Sequence, residues 1–434
     1  FAVANDFDGD IRWGETGYTG SGSSTDIGAD EFNGIIMDLT PPSIVYTALT
    51  GTTSTSNRTL TNVIITDILS GINTAPGTKP RIYFKKSTDN NAYVGNTSAD
   101  NGWKWVEATG NSSPFNFVID YSKLNGGLVA ANDVIQYFVI AQDLATTPNV
   151  GINTGSFAAK PASVDLTATA FPIGGTPFSY GILTSIAGNI SVGTGQTITS
   201  LTANGATGLF YVLNNSVVTG NLTVSIVSDL TETGATALNQ WVEEGAGNYT
   251  LTIQPSDATT KTISGAYAGS LIRINGADRT TINGNFNGLG KYLTFINSST
   301  SSPKVFEFLT GSSNNTIKNC NISTGTITSG ANGIYASASG VNNLVIDNNV
   351  ITKTYYGVNV NGVSGGVNYN NQITNNIIGS ATDVEAVAYR PVAITYSDNM
   401  LISNNELKGA PAGASAYYQC GVYVGTGSTN TKIK

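Results

Sequence analysis

The sequence predicts an all-β protein in which a β-sandwich is followed by a parallel β-helix, and three observations carry this prediction. A phrase that leads with isoleucine and continues into asparagines recurs every 27 to 31 residues, beginning at Ile317, Ile346, Ile373, Ile402 and Ile433. Runs of β-branched and aromatic residues between 43 and 142 alternate with Gly, Asn and Pro turns at sandwich spacing. Only 11% of residues are charged, against about a quarter in an average globular domain, so the surface is polar without being ionic.

Composition and charge exclude several classes of function. The 20 basic and 28 acidic residues give a net charge of -8, and no run of Lys or Arg alternates with aromatic residues, which excludes a nucleic-acid partner. The absence of His removes the commonest general base and the commonest transition-metal ligand. No apolar run reaches the ~20 residues of a membrane span. The start at Phe1 and the Asn- and Thr-rich composition predict a piece of a longer, secreted, extracellular protein.

Residues 1–34 form an acidic loop system in this interpretation. Aspartates at alternate positions could bring their carboxylates together on a hard cation such as Ca²⁺. The candidate ligands are Asp6, Asp8, Asp10, Asp26 and Asp30. The spacing departs from an EF-hand loop, which needs a bidentate Glu at its twelfth position. The alternative is that these residues form Asx turns.

Residues 38–160 are predicted to form the sandwich. Phe115, Phe117 and Ile119 alternate with more polar residues, as expected for a half-buried strand. Three loop aspartates could meet at one pole and bind Ca²⁺, or could cap their own loops. These aspartates are Asp38, Asp67 and Asp143. The proline-containing residues 161–182 are predicted to be a connector.

Residues 183–434 are predicted to form the parallel β-helix, with an N-terminal cap and a truncated C-terminal end. The spacing of Leu209, Phe210 and Leu213 predicts a short amphipathic helix that covers the open end of the coil stack. Asparagines at equal offsets in successive coils predict an internal ladder of side-chain amides. The ladder residues are Asn319, Asn348, Asn375 and Asn404.

Three stretches of the chain resemble segments of secreted Bacteroidota proteins. Asp6-Phe-Asp-Gly-Asp-Ile-Arg12, followed by Asp26-Ile-Gly-Ala-Asp-Glu-Phe32, resembles the closing segment of right-handed β-helix domains, so residues 1–34 would be the tail of a preceding right-handed β-helix. The opening at Asp38-Leu-Thr-Pro-Pro42 and the strand at 137–143 resemble immunoglobulin-like or fibronectin-like modules of bacterial surface proteins. The segment from Asn248 to Gly284 resembles the start of a β-helix in the same family, again right-handed.

This resemblance implies a fragment of a large cell-surface adhesin or filament. It implies export by the type IX system and a relation to gliding-motility adhesins. The chain would act as a structural rod and spacer that presents a binding surface. The absence of His and of clustered carboxylates predicts that the chain is not an enzyme. Its partners would be a surface polysaccharide, or another extracellular surface, and neighbouring repeats of the same polypeptide, and calcium would be the one cofactor to consider.

Two other functions stay open, a β-helix carbohydrate-active enzyme and a carbohydrate-binding module. Glycoside hydrolysis needs two facing carboxylates about 5 to 10 Å apart. The acids of the coils are scattered, and only Arg390, with Asp383 and Glu385, offers a lyase-like group. A binding module instead needs exposed rings, and tyrosines that recur along the coils could stack on sugars or pack inside. They are Tyr335, Tyr355, Tyr356, Tyr396, Tyr418 and Tyr423.

Overall fold

The computed structural model describes residues 4–22, 24, 37–408 and 420–434, and their regular secondary structure is nearly all β-strand. The chain divides into two compact units. Unit 1 comprises residues 1–50 and 54–182, and unit 2 comprises residues 51–53 and 183–434. Within the described residues, no helix has the length and apolar character needed to cross a membrane.

Unit 1 contains two antiparallel sheets, in agreement with the predicted sandwich. The three-stranded sheet consists of Ser43–Val45, Arg58–Thr66 and Phe115–Ile119. The five-stranded sheet consists of Arg81–Lys86, Lys104–Glu107, Val134–Gln142, Val150–Ile152 and Phe178–Gly181. Short 3-10 turns occupy Tyr121–Lys123 and Ala168–Ala170. Residues 4–22 carry an antiparallel bridge between Asn5 and Ile11, and their origin as a β-helix tail stays a prediction.

Alternating side chains build the core between the two sheets of unit 1. Phe115, Phe117 and Ile119 are buried there, as the sequence predicts. Tyr137 and Val139 enter the same core from the strand Val134–Gln142. Apolar side chains on one strand face therefore bury against the opposite sheet, and this burial is the main stabilising term of the sandwich.

The predicted connector at 161–182 is wrong, because these residues belong to the fold of unit 1. The strand Val134–Gln142 is apolar on both faces, and Phe138 and Ile140 point away from the core between the sheets. Val164 and Phe171 cover that second face, and the strand Phe178–Gly181 pairs with Val134–Gln142. An uncovered apolar face would be unfavourable in water, which explains why this Pro-containing segment packs instead of linking.

Unit 2 consists of three long sheets whose strands pair in parallel between successive coils. The first sheet contains Thr184–Val192, Ser216–Ile226, Val242–Glu243, Leu251–Pro255, Thr280–Asn283, Thr316–Lys318, Val345–Asp347, Gln372–Thr374, Leu401–Ser403 and Lys432–Ile433. The second contains Leu230–Thr231, Lys261–Gly265, Leu293–Asn297, Cys320–Thr324, Val350–Thr352, Ile377–Ile378 and Glu406–Leu407. The third contains Leu238–Asn239, Ser270–Asn275, Lys304–Phe308, Asn332–Ala336, Thr354–Asn361, Val387–Thr395 and Val422–Val424. A two-stranded sheet pairs Asn368–Tyr369 with Ser397–Asp398, and a 3-10 turn spans Asp383–Glu385.

This arrangement is the predicted parallel β-helix. The leading isoleucines of the repeat lie in register on the first sheet, with Ile317 beside Ile346 and Ile346 beside Ile373. These three side chains are buried in one continuous core that runs through the coils. The predicted short helix is also present, at Leu209–Asn214, and its three apolar side chains pack into this core.

The asparagine pairs form the corner between the first and second sheets. The predicted ladder is present in part: Nδ2 of Asn348 donates to Oδ1 of Asn319 at 2.7 Å, but Nδ2 of Asn375 donates to Asp347, and a second ladder lies one residue later in the sequence. The first member of each pair has a positive φ, of 52° at Asn348, 57° at Asn375 and 55° at Asn404. Asn319, which Cys320 follows, has a φ of 57° at the same position of its coil. Asn348, Asn375 and Asn404 are exposed. A left-handed residue turns the chain, so strict inside–outside alternation breaks at this point and the following residue points inward.

The internal ladder therefore consists of Asn349, Asn376 and Asn405. The Nδ2 of Asn349 donates to Oδ1 of Asn376 at 3.0 Å, and the Nδ2 of Asn376 donates to Oδ1 of Asn405 at 2.9 Å. Each of these Nδ2 atoms also donates to a backbone carbonyl of the preceding coil, such as that of Ile346. Cys320 precedes the ladder and donates its N–H to Oδ1 of Asn349.

Candidate functional sites

Three aspartates converge at one pole of unit 1, as the sequence predicts. Asp38, Asp67 and Asp143 each offer a carboxylate oxygen, and these oxygens lie within 4.8 Å of one another. Asp38 precedes the first strand of the sandwich, and the other two directly follow Arg58–Thr66 and Val134–Gln142. Their strands end at the same side of the antiparallel sheets, which brings the three loops together.

Backbone and hydroxyl donors hold these three carboxylates. Ser70 Oγ donates to Asp38 at 2.6 Å, and the Ser70 N–H donates to Asp67 at 2.9 Å. Asn149 donates to both carboxylate oxygens of Asp143, at 2.8 and 2.7 Å. The hydrogen bonds from Ser70 and Thr40 lower the pKa of Asp38, so its carboxylate stays charged. Clustered carboxylate oxygens are ligands that Ca²⁺ prefers, and calcium binding at this pole stays a prediction.

Among the described residues, the N-terminal aspartates do not form a second such cluster. Across the described residues, the group at 38, 67 and 143 is the one set of three carboxylates within 4.8 Å. Oδ1 of Asp6 accepts the N–H groups of Asp8 and Asp10, which is the turn-forming role that the sequence left as the alternative. Asp26 and Asp30 lie outside the described residues.

A cluster of aromatic and basic side chains covers part of the third sheet of unit 2. We call it the tyrosine face, and it consists of Lys304, Tyr335, Tyr355, Tyr356, Tyr389, Arg390 and Tyr423. Tyr355 stacks on Tyr389 with ring centroids 4.8 Å apart, and Tyr356 meets Tyr389 edge-on at 5.3 Å. Burial of the ring raises the pKa of Tyr356. Such ring geometries stabilise aromatic pairs beyond the area that they bury.

A bulge explains why consecutive residues reach this face together. Thr354 pairs with Val387 on the neighbouring strand, and Tyr356 pairs with Arg390. Three residues on one strand therefore lie opposite four on the other, which shifts the register by one residue. An extra residue in one strand redirects the side chains beside it. Tyr389 and Arg390 therefore both contact tyrosines, although strict alternation would place them on opposite faces. Sequence reasoning missed Tyr389, and the neighbouring Pro391 was the one visible sign of an irregular strand.

Two cations lie on the rings of the tyrosine face. The guanidinium carbon of Arg390 is 3.6 Å from the ring centroid of Tyr423 and 4.5 Å from that of Tyr389. Lys304 Nζ is 4.9 Å from the ring centroid of Tyr335 and 2.9 Å from Oε1 of Glu307. Burial would raise the pKa of Glu307, but hydrogen bonds from Ser270 and Lys304 outweigh it and lower the pKa. Glu307 and Lys304 therefore form a charged pair.

An open groove of about 490 Å³ lies along this face. Its lining includes Lys304, Asn332, Tyr335, Tyr356 and Asn359, which come from three neighbouring strands of the third sheet. Asn359 Nδ2 donates to Oδ1 of Asn332 at 3.3 Å. The groove therefore combines rings, side-chain amides and a cation, which are the groups that bind sugar rings and hydroxyls.

Four candidates of unit 2 remain, namely Tyr396, Tyr418, Asp383 and Glu385. Tyr396 lies at a turn with φ 44°, beside the two-stranded sheet. Tyr418 lies outside the described residues. Asp383 and Glu385 occupy a 3-10 turn, and within the described part of the chain neither forms an ion pair with Arg390.

Comparison with known proteins gives no family. No protein-family description and no curated protein matches the chain. Among solved structures, the catalytic domain of a GH87 alpha-1,3-glucanase in complex with nigerose is 12% identical over 90% of this chain and 93% of that chain, with a TM-score of 0.17. A substituted form of such a domain in complex with tetrasaccharides is 14% identical over 90% of this chain and 86% of that chain, also with a TM-score of 0.17. Likenesses at this TM-score carry no argument about the present chain.

Proposed function

We propose that the chain is part of a secreted cell-surface adhesin whose β-helix is a rod and whose tyrosine face binds a saccharide. The observation that supports this proposal is the groove beside Tyr335 and Tyr356, in which aromatic rings, amides and a cation meet on the outer side of one sheet. The parallel coils repeat with a spacing of about 4.8 Å, so an extended chain of sugars could run across several of them.

The chemistry of the groove suits sugar rings. A tyrosine offers an apolar ring face to the C–H groups of a sugar and a hydroxyl to its oxygens. Asn332 and Asn359 offer both donors and acceptors, which hydroxyl groups require. The stacked contact between Tyr355 and Tyr389 restrains both rings before a ligand arrives, which reduces the entropy lost on binding.

The contacts of several acidic residues in unit 2 support saccharide binding without cleavage. Asp347 Oδ1 accepts from the side chains of Thr374 and Asn375, and Asp398 Oδ1 accepts from those of Thr429 and Asn430. Glu307 is held by Lys304. These carboxylates connect neighbouring coils or balance a cation, as structural acids do.

A glycan array of surface and extracellular polysaccharides tests the proposal. The wild-type chain is compared with a variant that carries both Tyr356→Ala and Tyr389→Ala. We expect binding of the wild type and a loss of affinity of about tenfold or more in the variant, since two ring contacts contribute about 1.5 kcal/mol.

The matched control is Tyr369→Ala, which removes a tyrosine that is 45% exposed but lies in the two-stranded sheet. We expect this variant to bind like the wild type. Equal affinities of the wild type and the double variant for every bound glycan would refute the tyrosine face as the binding site.

A further inference from the structure

We propose that the ligand of the tyrosine face is an acidic polysaccharide and that Arg390 binds its anionic group. This inference rests on the proposed function, because it names the chemical class of the saccharide at the same site. It goes beyond that function by assigning the role of specificity to a residue that does not line the groove. Three observations carry the proposal: the contacts of the Arg390 side chain, its register with Lys304 and the charges between the two residues.

Arg390 differs from the other arginines of unit 2, because no donor of its side chain has a hydrogen-bond acceptor among the described residues. Arg273 donates to the carbonyls of Gly234 and Ala235, and Arg279 donates to Glu243 at 2.7 Å. Among the described residues, Arg390 makes neither a side-chain hydrogen bond nor an ion pair, and the rings of Tyr389 and Tyr423 alone hold it. Four of the five N–H donors of a guanidinium are on its two Nη atoms, so this side chain retains donors with which to bind an anion.

The surroundings of the guanidinium favour a charged acceptor. Its Nε is buried without a hydrogen-bond partner, and the side chain as a whole is half-buried. Stacking on the two rings fixes the plane of the guanidinium, so little freedom is lost when a planar carboxylate binds in a bidentate manner. A charge-assisted pair of this kind is stronger than a neutral hydrogen bond, and the nearby rings exclude part of the water that would screen it.

The register of the third sheet places a second cation at the other end of the groove. Lys304, Asn332, Tyr356 and Arg390 occupy paired positions on four successive strands. Three steps of about 4.8 Å separate Lys304 from Arg390 by about 14 Å along the stack. Glu307 balances Lys304, whereas Arg390 has no acidic partner among the described residues. A ligand that spans the groove and reaches Arg390 is therefore a polymer, and its anionic group belongs at the Arg390 end.

The experiment compares two pairs of polysaccharides by isothermal titration calorimetry with the whole chain. One pair is polygalacturonate and its fully methyl-esterified form, and the other is dextran sulfate and dextran, so each pair changes charge on one backbone. We expect the charged member of at least one pair to bind tenfold or more tightly than its neutral partner. The pair whose charged member binds more tightly than its neutral member identifies the anion as a carboxylate or a sulfate.

The variant Arg390→Gln should lose about tenfold or more of this affinity, since it removes the charge-assisted hydrogen bonds to the anion. Arg390→Lys, which keeps the charge but loses the fork geometry, should recover part of it. Arg273→Gln removes the same charge from the same sheet and should bind like the wild type. Circular dichroism and the melting temperature check that each variant folds.

The outcomes separate this inference from the proposed function. If neutral and charged members bind equally and Arg390→Gln has no effect, the acidic ligand is refuted while saccharide binding stands. If neither these polysaccharides nor any glycan on the array binds, the proposed function fails as well. A 20-nucleotide single strand of DNA that binds as tightly as the best polysaccharide, and through Arg390, would overturn the saccharide class.

Discussion

Neighbouring asparagines in this protein have different roles. At each pair of the repeat, the first residue adopts a left-handed conformation at an exposed corner, and the second buries its amide between coils. Asparagine suits both positions, because it tolerates positive φ and its amide both donates and accepts. The sequence predicts a ladder from the repeated spacing, but the left-handed corner shifts the inward phase by one residue. Spacing alone does not contain that shift.

Asn376→Ala is expected to destabilise the β-helix. The Asn376 amide accepts from the backbone and side chain of Asn349 and donates to Ile346 and Asn405. Its removal leaves several buried groups without partners, each at a cost of about 1 to 3 kcal/mol. We therefore expect the free energy of unfolding to fall by about 3 kcal/mol, measured by urea denaturation followed by circular dichroism.

Asn375→Gly is the matched control for this substitution. Glycine adopts the same positive φ, and the exposed Asn375 side chain loses its hydrogen bond to Asp347. The free energy of unfolding should change by less than about 1 kcal/mol. A larger loss in Asn375→Gly than in Asn376→Ala would contradict the assignment of the internal ladder.

Among the elements, regular strands follow from the sequence and irregular ones do not. The alternation of Phe115, Phe117 and Ile119 correctly predicts a half-buried strand. The strand Val134–Gln142 is apolar on both faces. The sequence indicates the row of side chains that faces the sandwich core, but it does not indicate that residues 161–182 cover the other face. The bulge before Arg390 likewise depends on a pairing between two distant coils, which no local pattern encodes.

The acidic pole of unit 1 should respond to Ca²⁺ if the sequence prediction holds. Extracellular calcium sites commonly have dissociation constants of about 0.1 to 1 mM. At 10 mM CaCl₂ the free energy of unfolding should then rise by about 1.4 to 2.7 kcal/mol, which differential scanning calorimetry detects as a higher melting temperature. Asp67→Asn removes one of the three carboxylates and should abolish most of this rise.

Asp8→Asn is the control for the calcium prediction, because it removes an aspartate outside the cluster and should keep the rise. The lowered pKa of Asp38 adds a pH dependence. Its hydrogen bonds contribute stability above the ordinary pKa of an unfolded aspartate, about 3.9, and this contribution is lost as the pH falls through the lowered folded value. A melting temperature that CaCl₂ leaves unchanged at pH 7 would refute calcium binding at this pole.

At the scale of the whole molecule, the sequence repeat predicts the architecture of unit 2 more completely than it predicts the candidate saccharide site. The isoleucines in register predict parallel coils, and the tyrosines of the third sheet are visible from the sequence as candidates for saccharide contact. The Arg390 side chain appeared there only as a lyase-like group beside Asp383 and Glu385. Its position between Tyr389 and Tyr423 depends on contacts between coils, so its assignment to ligand binding required the fold.

Hydrogen–deuterium exchange of the whole chain, with and without polygalacturonate, tests the central claim most directly, because it locates a bound saccharide without any substitution. The account predicts slower exchange in Asn332–Ala336, Thr354–Asn361 and Val387–Thr395, the strands of the tyrosine face, with little change on the first sheet. Protection confined to the first or second sheet in the presence of a bound saccharide would contradict it.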